Sequence, residues 1–169
     1  MSSSHYDAIV LGSGQGGGPL AGAFASSGRK AALIERKHVG GSCVNEGCTP
    51  TKTMVASARV AHLVRRAGDY GVVTGAVSFD QAVVRKRKRE IVESFRSGSR
   101  KGLERWENLD LIMGEASFQD TKTVAVQLND GGETRVTADT IVINTGARPR
   151  IPDLAGLTEL LDWTSKKVI

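Results

Sequence analysis

The sequence offers little that would staple, anchor or span. Two cysteines occur among 169 residues, so no disulfide scaffold holds the chain, and its length makes one unnecessary. A chain of this size buries about two thirds of its unfolded surface in a single core. No apolar run approaches the roughly 20 residues that would cross a bilayer. Met1–His5 carries no basic stretch followed by an apolar one, so no secretion signal is expected and a reducing, cytoplasmic setting follows. In that setting a cysteine pair reads as catalytic or redox-active before it reads as structural. Neither sign of charge dominates, with 23 Lys and Arg against 18 Asp and Glu. Together with 40% apolar residues, this excludes a disordered chain.

What is present is an alternation of strand and helix signals. Asp7–Leu11 is a short β-forming run that stops at the glycine cluster 12–18. Pro19–Ser27 is small and alanine-rich and closes on Gly28, which suits a helix pressed against a sheet. Lys30–Glu35 is a second strand, completing a βαβ unit. A helical pattern follows from Cys43 to about Ala67, with an inward stripe that includes His62. Ser78 and Gln81 form a capping-box signature for a further helix with the stripe Val84, Ile91, Phe95, Leu103 and Trp106. Leu109–Met113 is a strand. Thr123–Leu128 and Thr134–Ala138 make a hairpin around Asn129-Asp130-Gly131-Gly132, and Thr140–Asn144 is a last buried strand. The expected fold class is α/β: a Rossmann-like sheet with a small β-hairpin or meander insertion.

Gly12, Gly14 and Gly17 spell G-x-G-x-x-G between a strand and a helix. The first glycine permits the turn, the second lets a pyrophosphate approach the backbone, and the third lets the helix close on the sheet. The helix N-terminus then offers N–H groups to phosphates. Glu35 ends the second strand, where a carboxylate accepts hydrogen bonds from adenosine ribose hydroxyls. It would repel a 2′-phosphate, which disfavours NADP at this site and leaves FAD and NAD open.

The second motif is Gly40-Gly41-Ser42-Cys43-Val44-Asn45-Glu46-Gly47-Cys48-Thr49-Pro50-Thr51-Lys52. Two cysteines with His5, His38 and His62 scattered elsewhere do not make a zinc site. On a regular helix, positions five apart lie about 8 to 9 Å apart, beyond the roughly 7 Å that a disulfide allows. Pairing would therefore require a distorted first turn, which Gly47 and Pro50 favour. A helix N-terminus would also favour thiolate in the reduced pair.

Taken together, these stretches resemble the FAD-dependent pyridine nucleotide-disulfide oxidoreductases, the flavoproteins that include dihydrolipoamide dehydrogenase, glutathione reductase and mercuric reductase. The resemblance rests on GSGQGG with Glu35, on GGSCVNEGCTPTK, on Gly114–Phe118 and on Asn144–Pro152, and the GCTPTKT wording leans toward the mercuric-reductase branch. It implies that Gly12, Gly14 and Gly17 hold the FAD pyrophosphate, Glu35 the adenosine ribose, and that Ser42 lies beside the phosphates. Cys43 matches the interchange thiol, which attacks a disulfide or takes up a metal, and Cys48 the thiol that donates charge to the flavin, the two forming a redox disulfide. Lys52 matches the lysine at the reactive edge of the isoalloxazine. Gly114 and Ala116 match the stretch that meets the adenine, and Thr145-Gly146 the family's ATG turn, with Asn144 replacing its usual alanine.

The resemblance also divides the chain into an FAD-binding portion, residues 1–152, and the start of a linker, residues 153–169. The NAD(P)-binding domain, the dimerisation domain and the histidine–glutamate base have no counterpart in these 169 residues. The expectation is thus the FAD-binding part of an enzyme whose full-length relatives are homodimers acting on disulfide or other small-molecule substrates. NAD(P)H would serve as donor only in a complete chain. The readings set beside it are a non-catalytic FAD- or NAD-binding remnant and a thiol-redox sensor. Arg85–Arg89 sits in a helix with Glu90 and Glu93 close behind and no aromatic residues interleaved. It reads as a solvated face rather than a nucleic-acid site, and no membrane partner is expected.

Overall fold

The computed structural model describes residues 4–148, 150 and 152–157. Residues 158–169, including Trp163 and most of the linker assigned to 153–169, lie outside the described residues. The element order is β1 (Ser4–Leu11), α1 (Gly17–Ser26), β2 (Ala31–Glu35), α2 (Gly41–Asn45), α3 (Cys48–Arg65), a 3-10 turn (Ala67–Tyr70), α4 (Gln81–Glu104), β3 (Leu109–Phe118), β4 (Thr123–Leu128) and β5 (Glu133–Ile143).

β1 is parallel to both β2 and β5, with Val10 opposite Leu33 and Val142. Residues 109–113 of β3 run parallel to β2, and residues 114–118 of the same strand turn antiparallel to β4. β4 in turn pairs antiparallel with residues 133–137 of β5. The sheet therefore closes into a ring, β1-β2-β3-β4-β5, because β3 and β5 each change partner half-way along. Residues 139–143 of β5 pair with β1 alone, and residues 109–113 of β3 with β2 alone.

Alternation along β1 explains why that strand is apolar throughout. Ile9 and Leu11 face the interior of the ring with Ile34, Val124, Val126 and Val136. Val10 faces the other way, with Leu33, against Ala21 and Ala25 of α1 and Leu103 at the end of α4. A strand buried on both faces reads as a continuous hydrophobic run. The alanines of α1 let that helix sit close to the sheet, as its composition suggests.

Five local readings change. The helix expected over 43–67 is two helices, broken at Glu46–Gly47. His62 is exposed, and the inner positions of α3 are Pro50, Thr53, Met54, Ser57, Ala61 and Val64. Asp80, not Ser78, caps α4: its Oδ1 accepts from the backbone N–H groups of Ala82 (2.7 Å) and Val83 (3.2 Å), and a carboxylate next to the first helical residue outcompetes a hydroxyl two residues earlier. Phe95 is 57% exposed, because the buried stripe of α4 passes through Val92 and Arg96 instead. The two strands expected over 134–138 and 140–144 are one, since β5 continues without interruption from β4 to β1.

At the opposite end of the sheet from the glycine turn, Tyr6 is buried and its hydroxyl donates to Asp110 Oδ2 at 2.7 Å. Burial first, then the hydrogen bond and charge of Asp110, push the phenol up to about 12. A group raised above its ordinary value of about 10 contributes stability below pH 10 that is lost as pH rises through its folded value. Tyr6→Phe is therefore expected to flatten the fall in unfolding free energy between pH 10 and about 12, measured by urea denaturation across that range.

Candidate dinucleotide and dithiol site

The carboxyl ends of β1, β2 and β5 converge on the glycine turn, and each glycine of the motif answers to a different neighbour. Gly12 has φ +101°, and a Cβ there would stand 2.3 Å from the Asn144 carbonyl oxygen. At Gly17 a Cβ would stand 2.0 Å from the Gly12 oxygen. Both are glycine because the fold leaves no room. Gly14 is different: a Cβ would meet only Asn144 Nδ2, at 3.4 Å, an ordinary contact. Nothing in the protein itself requires glycine at 14, so the requirement comes from whatever approaches that backbone from the cavity. No side chain caps α1 and no acidic residue stands in its first turn, which leaves the helix end suited to a phosphate.

Glu35 is fixed at the end of β2. Its Oε2 accepts from the backbone N–H of Ser13 (3.0 Å) and the Ser13 hydroxyl (2.5 Å), and its Oε1 from the Lys37 N–H (2.9 Å). A carboxylate has about four acceptor positions, so capacity remains toward the cavity. Ser13 is buried and also accepts from the Gly40 N–H at 3.2 Å. It thereby joins the turn, the acid and the loop before α2. Asn144 Nδ2 donates to the Gly12 carbonyl at 3.1 Å, so the residue that departs from the usual alanine braces the turn from β5. Ser13 is not marked by the sequence, and Asn144 is marked only as a departure from the usual alanine, because the partners that make them braces lie 22 and 132 residues away.

One cavity of about 690 Å³ gathers most of the expected residues: Gly12, Gly14, Glu35, Ser42, Cys43, Gly114, Ala116, Thr145 and Gly146 all line it. That volume falls within the roughly 300 to 1,000 Å³ of cofactor sites. Gly17 lies behind the turn. Gly114 has a structural duty as well, since a Cβ there would come within 2.5 Å of the Gln127 carbonyl oxygen across the β3–β4 ladder.

Cys43 is the third residue of α2 and half-buried at the cavity wall; Cys48 is the first residue of α3 and exposed. Both are free thiols. The break at Gly47 (φ −129°, ψ −107°) is the distortion that pairing requires. The hydrogen bond to Cys48 is the largest of the effects that hold the Cys43 thiol above its ordinary range, followed by burial and the charge of Cys48. The Cys48 backbone N–H and the charge of Lys52 oppose them. This reverses, at Cys43, the expectation of a thiol lowered by a helix end: Cys43 sits in a five-residue helix whose dipole is small, and its sulfur bonds to a neighbouring sulfur. Lys52, one turn into α3, is exposed and near enough to act on Cys43, though it does not line the cavity.

Arg85, Lys86 and Arg89 are exposed, whereas Arg87 Nη1 donates to the Thr53 carbonyl at 3.1 Å and ties α4 to α3. Among the described residues no three metal-ligating side chains cluster, and no helix is long and apolar enough to cross a membrane.

The fold and the site define a dinucleotide-binding domain with one thiol, Cys43, at the wall of its cavity and a second, Cys48, beside it. The chain belongs to the pyridine nucleotide-disulphide oxidoreductase family, whose model matches residues 6–168. Members of this family use FAD and NAD(P)H. The chain is 36% identical over 160 residues to a mercuric reductase of Shigella flexneri, covering 92% of this chain and 28% of that protein. It is 39% identical over 153 residues to a dihydrolipoyl dehydrogenase of Chlorobaculum parvum, covering 89% and 32%. The Cu(II) complex of the HOCl-induced flavoprotein disulfide reductase RclA from Escherichia coli superposes with a TM-score of 0.76 at 31% identity, over 94% of this chain and 32% of that one. The chain thus spans about a third of the length of the relatives it matches.

Proposed function

We propose that this chain is the FAD-binding part of an NAD(P)H-dependent oxidoreductase that delivers electrons to Cys43 and Cys48 and from them to a disulfide or metal-ion acceptor. The observation that carries this reading is the single cavity that runs from Glu35 past an unobstructed Gly14 to Cys43. Residues 1–152 form the FAD-binding portion and residues 153–169 begin the connection to a further domain. The backbone at Gly12, Gly14 and the start of α1 binds the pyrophosphate, Glu35 accepts from the ribose hydroxyls, and Ser42 stands beside the phosphates. Gly114 and Ala116 meet the adenine, and Thr145-Gly146 closes the opposite wall.

FAD supplies, when bound, the two-electron chemistry that links a nicotinamide donor to sulfur. The protein's own part is thiol–disulfide exchange. With a disulfide acceptor, Cys43 attacks one sulfur and releases the first product thiol, Cys48 displaces the second by forming the Cys43–Cys48 disulfide, and two electrons and two protons leave the pair with the two product thiols. Lys52 provides a positive charge near Cys43, suited to stabilising negative charge on a reduced flavin.

The NAD(P)H-binding and dimerisation functions belong to the longer protein, which acts as a homodimer. The chain by itself is expected to bind FAD weakly and to show no NAD(P)H oxidation. Titration with FAD, followed by its visible absorption and by alkylation of the cysteines after photoreduction, tests the reading. Saturable binding with flavin-dependent conversion of the disulfide to two thiols supports it. Binding without electron transfer to the cysteines, or stoichiometric FAD with full NAD(P)H-dependent dye reduction, overturns it.

A further inference from the structure

We propose that Arg96 of α4 is a positioning residue for the thiol pair, acting through Asn45, and that α4 thereby sets how readily Cys43 and Cys48 interconvert between dithiol and disulfide. The inference rests on reading the pair as redox-active.

α2 has five residues and no side-chain cap, and it lies between Gly40–Gly41 (φ +101° and +63°) and the break at Gly47. So short a helix does not hold itself in water. Among the features that fix it, Val44 is buried beneath it and the Asn45 amide bonds on both sides. Asn45 Nδ2 donates to the carbonyls of Val39 (3.1 Å) and Gly41 (2.8 Å), and its Oδ1 accepts from Arg96 Nε (2.9 Å). A guanidinium only donates, so the amide atom facing Arg96 is oxygen and the NH₂ must face the two carbonyls. The reverse orientation would set an oxygen against two oxygens and leave Arg96 facing a second donor. Arg96 is itself held by Glu93, Nη1 to Oε2 at 2.8 Å, with its side chain 27% exposed.

Cys48 is fixed by separate means. Pro50 and Thr53 are buried, Thr53 Oγ1 donates to the Thr49 carbonyl at 2.8 Å, and Arg87 reaches the Thr53 carbonyl. The only covalent connection between the two thiol-bearing helices is the hinge Glu46–Gly47. The two helices also pack on each other, and α4 braces both, holding α3 through Arg87 and α2 through Arg96. Loosening α2 lowers the fraction of time the two sulfurs are adjacent and hence the effective concentration of one thiol toward the other.

The test is the equilibrium Cys43–SH + Cys48–SH + GSSG ⇌ Cys43–S–S–Cys48 + 2 GSH, in which two electrons and two protons pass to glutathione disulfide. Buffers of graded glutathione ratio are quenched with acid, and the fraction of blocked thiols is read by mass spectrometry. For Arg96→Met the equilibrium constant is expected to fall about tenfold, equivalent to roughly 30 mV. Arg96→Lys, which keeps a donor for Asn45, should stay within about twofold of wild type. Asn45→Asp keeps the oxygen facing Arg96 and loses both N–H donors, and it should fall at least as far as Arg96→Met. Thermal melts of the oxidised and reduced forms complete the cycle, the oxidised form of Arg96→Met losing more stability than the reduced form. Equal loss in both forms with an unchanged equilibrium, in Arg96→Met or, should that variant not fold, in Asn45→Asp, assigns Arg96 a purely structural duty and overturns the inference alone. A wild type that forms no Cys43–Cys48 disulfide overturns the inference together with the redox reading on which it stands.

Discussion

Gly14→Val is expected to fold normally and bind FAD about 100-fold more weakly, whereas Gly17→Ala is expected to lose much of its fold. The two positions belong to one motif but are glycine for different reasons. At 14, the nearest atom to an added Cβ is Asn144 Nδ2 at 3.4 Å, so the side chain enters the cavity rather than the core. It would hold a pyrophosphate off the backbone and forfeit about two charge-assisted hydrogen bonds of roughly 1.5 kcal/mol each, which corresponds to about two orders of magnitude in affinity. At 17, the Cβ would meet the Gly12 oxygen at 2.0 Å and Asn144 Nδ2 at 2.6 Å. Backbone on both sides of that contact must move, and overpacking of this kind costs about 1 to 3 kcal/mol or more. Circular dichroism melts separate the variants on stability and fluorescence titration with FAD separates them on binding. Equal melts for both variants, or unimpaired FAD binding by Gly14→Val, would sink the assignment of roles.

The second large effect is expected from Cys48→Ala. Two-electron oxidation of the site disappears, since no partner remains for Cys43. The variant should also shift the pH at which Cys43 is alkylated downward. Its hydrogen bond to Cys48 is the first cause of the raised thiol, burial the second and the Cys48 charge the third; the substitution removes the first and third and leaves the charge of Lys52 to act in the other direction. Iodoacetamide kinetics between pH 6 and 10 measure this, and an unchanged or higher midpoint would contradict it. The same shift bears on stability. A thiol raised by folding adds stability below its ordinary range and loses it as pH climbs through its folded value, so the reduced wild type should weaken on the alkaline side more than Cys48→Ala.

The parts of this site that rest on local chemistry were legible in the sequence. A strand ending in G-x-G-x-x-G, an alanine-rich helix, an acid at the end of the next strand and a glycine-rich hairpin turn each declare themselves within a few residues. So did the need for a distortion between Cys43 and Cys48, although the periodicity of residues 43–67 suggested one helix where there are two. The break is held by Asn45, which bonds back to Val39 and Gly41, and by Arg96 on α4, 51 residues away, a partner that no window around the cysteines contains. The direction of the Cys43 shift was misread for the same reason, since it is set by a sulfur–sulfur hydrogen bond that exists only once the helix is broken. Ser13 and Asn144 are small polar residues in apolar surroundings, and nothing in their own neighbourhoods marks them as braces. Phe95 and His62 were placed inward by a helical stripe whose phase on the actual helices differs by about one position.

The ring closure of the sheet fixes an order of events during synthesis. β1 gains its second neighbour only through β5, with Ser4 opposite Val136 and Leu11 opposite Ile143, and the Gly12 carbonyl receives its bond from Asn144. β1 thus waits for almost the whole of the described chain before its far edge is covered. Contacts of such long sequence separation form late, after the loop-closure entropy has been met. Until residue 144 has emerged, the nascent chain carries its nucleotide-binding motif with one wall missing, so the dinucleotide turn is among the last parts of this fold to take shape.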